Sequence, residues 1–226
     1  MGMLLPSGFL QPAGFVGRLL LITIGLASAA GASTITVYNV GFGRNGVSML
    51  LNGSTTPAAE YATEILITKG GTNYIAYCLD LFTGIGLDTY DTTTGLPNSY
   101  PNGLRAAWLF ENYFQLTTYA EQAVALQVAI WDVIHDGGDG LTSGNIQLDP
   151  TLEAALLPLA NALVLASFGQ SSMNATILYN TVISNGAPAQ TLITSADAFD
   201  TPEPGTVALT AAGLASLWAF RRRIRS

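Results

Sequence analysis

Positive charge is almost missing from the body of this chain. Between residues 33 and 200 the only basic side chains are Arg44, Lys69 and Arg105, set against fourteen carboxylates, a net of −11. Such a surface repels phosphate backbones, so nucleic acid is excluded as a partner. Histidine is reduced to His135 and cysteine to Cys78. With one imidazole and one thiol, neither a Ser-His-Asp spacing nor a His/Cys metal cluster is found, and no enzyme is expected. A single cysteine also makes no intramolecular disulfide. Nor does either apolar run reach the roughly 20 residues that cross a bilayer unaided. Mean hydropathy is nevertheless +0.38, high for a soluble protein, which directs attention to the two ends.

At the first end, Arg18 precedes the apolar run Leu19 to Ala27 and then "SAAGAS", with Ala30 and Ala32 in an A-x-A arrangement. Charge, apolar core and small residues in that order predict a secretory signal over 1–32, with a mature chain from Ser33. At the other end, "TPEPGTVALTAAGLASLWAFRRRIRS" breaks the backbone at Pro202-Glu203-Pro204. It predicts a short apolar helix over Val207–Phe220 and closes on Arg221, Arg222, Arg223 and Arg225. Clustered arginines hold such a tail on the cytoplasmic side. The segment 201–226 resembles the PEP-CTERM sorting tail of Gram-negative bacteria that make exopolysaccharide. The resemblance implies an exosortase as processing partner, a transient inner-membrane anchor, cleavage near the Pro-Glu-Pro, and delivery to the cell surface or matrix. A plain C-terminal anchor would share the topology without the processing.

Between the ends lies one domain, 33–200, of α+β class. "TITVYNVGFG", "VSMLLNG" and "YATEILITKGG" read as short strands punctuated by glycine. Gly70-Gly71 turns the chain into a second hairpin strand, Tyr74 to Phe82, followed by a loop from Thr83 to Gly103. "GLRAAWLFENYFQ" and "TYAEQAVALQVAIWDVIHDGG" predict two amphipathic helices, the second capped by Gly137-Gly138. "DPTLEAALLPLANALVLASFG" predicts a third, disturbed at Pro158. "ATILYNTVI" and "QTLITS" return to strands. The expected architecture is a β-rich, barrel- or sandwich-like domain with an inserted helical segment, flanked by the signal helix and the C-terminal apolar helix.

Within the second helix, Ala123, Val124, Ile130, Trp131 and Ile134 fall within about 60° of Gln127, while Glu121, Ala125, Asp132 and Asp136 gather opposite. A carboxamide at the centre of an apolar stripe needs partners or costs about 1–3 kcal/mol. It is either a core hydrogen-bonder or a reactant. Cys78 leaves three readings open: an inert buried thiol, an intermolecular disulfide, or a thiol condensed with the Gln127 carboxamide, releasing ammonia.

The strings "YCLDLF", "AAWLFENY" and "LQVAIWDVI" resemble the Cys–Gln thioester domain of bacterial surface adhesins, over roughly Thr34 to Thr194. Tyr77-Cys78 and Gln127-Val128-Ala129-Ile130-Trp131 carry the match. Leu126 stands where the Gram-positive adhesins often have threonine. The resemblance implies an internal Cys78–Gln127 thioester that an amine- or hydroxyl-bearing surface or matrix molecule opens, leaving the protein covalently attached. Tyr77, Phe82, Trp108 and Trp131 are the residues expected to keep water from the bond. Lys69 is the only lysine, which spares the domain from linking to itself. The other class of reading is a non-reactive structural protein of the exopolysaccharide matrix, with Cys78 and Gln127 as core residues. No cofactor is implied. His135 reads as a helix-end histidine favoured by the dipole rather than as a general base. "HDGGDG" reads as a helix-ending turn rather than a calcium loop through Asp136 and Asp139, because ligand count and spacing fall short.

Overall fold

Residues Ser33–Leu51 form a single strand, β1, where two were expected. It stays continuous because three register irregularities against its neighbour, between Val37 and Asn39, Val40 and Gly43, and Asn45 and Val47, let it bend rather than break. Bending allows one strand to serve three partners in turn: β4 (Thr89–Gly95), β2 (Ala58–Lys69) and β5 (Ile146–Leu148). The computed structural model describes residues 33–198 and the pair 213–214. The signal segment 1–32, Pro202, Glu203, Pro204 and Arg221–Arg223 lie outside the described residues. So does the expected apolar helix Val207–Phe220, apart from Gly213 and Leu214.

The remaining strands are β3 (Thr72–Cys78), β6 (Ala175–Val182) and β7 (Leu192–Ser195). Every pairing is antiparallel, in the order β2-β3-β7-β6-β4-β1-β5, and β1 also pairs with β2. That extra pairing closes six of the strands into a circuit, the first of the two forms in the barrel- or sandwich-like expectation, with β5 added outside on β1. Closure removes most of the unpaired strand edges that would otherwise invite association.

Three boundaries differ from expectation. The hairpin strand stops at Cys78 rather than Phe82, because the Asp80 carboxylate accepts the Phe82 N–H and turns the chain. The expected loop 83–103 contains β4, whose inward positions include Tyr90 and the buried Thr92; buried threonine leaves no hydrophobic signal. The third helix, α3, is Leu157–Ala166, with Pro158 at its first turn rather than disturbing its middle.

The first two helices, α1 (Gly103–Tyr113) and α2 (Ala120–Asp136), match their expected spans. Their burial does not follow the amphipathic reading. Every residue of α2 from Ala123 to Ile134 is buried, Ala125 and Asp132 included. One flank of α2 packs on β1, β2, β3 and β5, and α1 and α3 cover the rest. A helix enclosed on all sides has no solvent face, whatever its sequence periodicity. Gly137, at φ +69°, ends it in the left-handed conformation that glycine adopts without strain.

Candidate functional site around Cys78

Antiparallel register decides what stands next to the thiol. Cys78 pairs with Leu192 across β3 and β7, so the chain running back from Leu192 brings Gln190 opposite Asp80. Residues two apart on a strand share a face, and diagonal neighbours across a pair lie within reach of long side chains. Gln190 and Cys78 are such a diagonal pair. The Cys78 thiol lies 3.0 Å from Gln190 Oε1, although the two residues are 112 apart in sequence. Gln190 is itself held on three sides: its Nε2 donates to Asp80 O at 2.5 Å, its N–H to Gly84 O at 3.3 Å, and its carbonyl accepts from Asn180 Nδ2 at 2.8 Å. Asn180 is buried and fixed in turn by the Thr92 hydroxyl at 2.7 Å.

Gln127 meets Cys78 at a different place. Along a strand, successive N–H groups point to alternate sides. Leu79 N–H goes to Thr191 O at 2.9 Å, on the β7 side. Cys78 therefore turns its own N–H and C=O toward β2, whose ladder with β3 has already ended at the Ile65–Ala76 pair. The carboxamide of Gln127, fully buried on α2, occupies the vacated position. Its Oε1 accepts Cys78 N–H at 2.8 Å and its Nε2 donates to Cys78 O at 2.7 Å. The side chain acts as one more peptide unit of the sheet. Both its hydrogen bonds are to the backbone of Cys78, whereas the hydrogen bond to the sulfur is that of Gln190.

A pocket of about 440 Å³ opens beside the thiol, lined by Cys78, Gln190, Trp131, Phe82, Glu60 and Tyr61 among others. Cys78 is only 4% exposed, at its floor. Burial first, and then the negative charge of Asp80, push the thiol far above its ordinary titration range, so it is held neutral. Of the four aromatic residues expected to wall the site, Trp131 and the exposed Phe82 do line this pocket. Tyr77 and Trp108 do not. Tyr77 follows strand alternation to the opposite side from Cys78, where its hydroxyl donates to the Glu64 carboxylate and its ring packs edge-on against Phe110. Trp108, on α1, packs edge-on against Tyr113. His135 stands behind the pocket wall, its ring 5.3 Å from that of Phe82, with its pKa lowered by burial.

Sequence reasoning placed Cys78, Trp131 and Phe82 at the site and missed Gln190. Its string "QTLITS" reads correctly as a strand, but nothing local says that this strand lies beside β3. The β3–β7 pairing is a long-range event with no periodic signature.

No protein-family profile matches the chain, and no curated protein matches it either. Among solved structures, the chain is similar to the N-terminal domain of the Streptococcus pyogenes pilus tip adhesin Cpa. The two are 13% identical with a TM-score of 0.39, over 67% of this chain and 92% of that one. Similarity at that level carries nothing about function. No helix among the described residues is long and apolar enough to cross a membrane.

Proposed function

We propose that this is an exported cell-surface or matrix protein whose Cys78 forms an internal thioester with Gln190, and that opening of the bond attaches the protein covalently to a partner. The observation that carries the reading is the 3.0 Å approach of the Cys78 thiol to the side-chain carbonyl of Gln190 at the floor of an open pocket. Sulfur adds to the Gln190 carbonyl carbon, the carbon–nitrogen bond breaks, and the amide nitrogen leaves as ammonia with the thiol proton. An amine or hydroxyl on the partner then adds to the same carbon. The carbon–sulfur bond breaks, the sulfur regains a proton, and an amide or ester remains. Each step is nucleophilic displacement at an acyl centre, carried through once rather than turned over.

In this reading Gln127 is a positioning residue and not the acyl donor that the resemblance to adhesin thioester domains implies. Its two bonds fix the backbone of Cys78 and hence the direction of the sulfur. Trp131 and Phe82 restrict water at the reacting carbon, and the pocket admits the partner. Export, exosortase processing and release from the membrane rest on the two terminal segments of the sequence. The bacterial matrix or a neighbouring cell surface supplies the nucleophile.

The test is the intact mass of the purified chain. A thioester leaves it short by one ammonia, and methylamine adds to it, leaving a methylamide heavier than the unreacted chain by one methylene. Peptide mapping then names the donor: the methylamide is expected at Gln190. A methylamide at Gln127 would transfer the role back to that residue. A full mass with an alkylatable Cys78 would leave the structural matrix protein, in which the thiol–Gln190 contact is an ordinary hydrogen bond.

A further inference from the structure

The last turn of α2 ends in a cluster the thioester does not use. Asp132 and Asp136 lie four apart and so share a helix face. Gly137 and Gly138, both at positive φ, turn the chain back on itself. Asp139 thereby joins them, and one carboxylate oxygen from each of the three residues lies within 4.8 Å of the others. Gly144 closes the loop over the top, so near that a Cβ there would sit 2.7–2.8 Å from oxygens of Asp136 and Asp139.

What separates this from an ordinary acidic surface is Asp132. Its side chain is fully buried, and its Oδ1 has no hydrogen-bond partner. Its Oδ2 receives only the Gly140 N–H, at a long 3.4 Å. Asp136, by contrast, is anchored as a rigid acceptor by the N–H groups of Asn145 and Ile146, at 2.8 and 2.6 Å, and by Asn145 Nδ2 at 2.9 Å. The guanidinium whose charge reaches Asp132 is that of Arg105, and it donates elsewhere, to Ser167 Oγ, Gly137 O and Val164 O. Asp132 is thus a buried carboxylate beside two others, with one oxygen that no donor reaches and no cationic group bonded to it.

We propose that Asp132, Asp136 and Asp139 bind a hard divalent cation, calcium, at the C-terminal end of α2. The donors are all oxygen, with no thiolate or imidazole among them, which disfavours zinc and the later transition metals. Calcium accepts six to eight oxygens in flexible geometry, so three carboxylates supply half the shell and loop carbonyls or water the rest. Magnesium demands a stricter octahedron and gives up its water reluctantly. A cation here also meets the negative end of the α2 dipole. Its effect is to lock the loop 137–146 onto the helix that carries Gln127 and Trp131. The spacing does not follow a linear calcium-loop motif, because two of the three ligands, Asp132 and Asp136, belong to the helix.

Calcium titration of the full chain, stripped with chelator, tests this independently of any thioester. Saturable uptake of one ion per chain is expected, with a dissociation constant on the order of 10⁻⁴–10⁻³ M as in extracellular calcium modules, and a matching rise in Tm. Magnesium should bind at least about tenfold more weakly. Asp139→Asn removes an exposed ligand without touching the core, and should weaken calcium by about tenfold or more. Asp132→Asn should abolish binding while raising the Tm of the calcium-free protein, since a neutral amide is cheaper to bury than a carboxylate. Absence of saturable calcium uptake, or uptake unchanged in Asp139→Asn, would overturn the proposal.

Discussion

Gln127 and Asp132 lie little more than a turn apart on α2, and both are completely buried. Their situations are opposite. The carboxamide completes a sheet that has run out of strand, and both its polar ends are matched to the backbone of Cys78. The carboxylate has an oxygen with no donor at all. A buried neutral group with two fixed partners positions something. A buried carboxylate without one is relieved only by taking up a proton or a cation. One helix thus carries a polar group that is finished by folding and another that is not.

The comparison is broken most sharply by separating the two glutamines. Gln190→Ala should eliminate the ammonia-deficient mass entirely, whereas Gln127→Ala should reduce its yield without moving the methylamine label away from Gln190. Mass spectrometry of the two variants decides between positioning and reacting roles.

Next in size is the thiol. In Gln190→Ala, native Cys78 should alkylate more slowly than in urea at pH 8 by about tenfold or more, because burial keeps it protonated. The sign for stability follows. In the unfolded chain the thiol loses its proton near pH 8.5, while the folded thiol keeps it. Stability should therefore fall as pH rises above about 8.5, and Cys78→Ala in the same background should flatten that decline in urea titrations.

A smaller effect is expected for Gln127→Ala in equilibrium unfolding. It strands both the N–H and the C=O of Cys78, at a cost of about 2–4 kcal/mol. If the loss is instead negligible, water has taken over the carboxamide's position. Smallest is Gly144→Ala. A side chain there meets Asp136 and Asp139 and opposes a φ of +76°, for about 1–2 kcal/mol. Its calcium affinity should fall as well.

The sequence revealed elements better than neighbours. Hydrophobic alternation and glycine turns marked most of the strands, and α2 was bounded correctly by its apolar run and Gly137. β4 and β5 went unread, because Thr92 is buried without being hydrophobic and Ile146–Leu148 is three residues long. The position of Cys78 was legible, and so was the burial of Gln127, since an amide amid Ala123, Val124, Ile130 and Trp131 has nowhere else to go. Which glutamine faces sulfur was not legible. That depends on β3 and β7 lying side by side, and on β2 leaving the ladder just before Cys78. The buried Asp132 was read as solvent-facing because a helical wheel shows one helix and not the two others packed on it.

The adjacency of β3 and β7 has a mechanical side. A covalent link from Cys78 to Gln190 would staple the chain across 112 positions, a loop large enough for cross-linking to contribute about 4–5 kcal/mol by restricting the unfolded chain. Reaction with a partner cuts that staple. The domain would then be firmest while waiting, and loosest once it holds its catch.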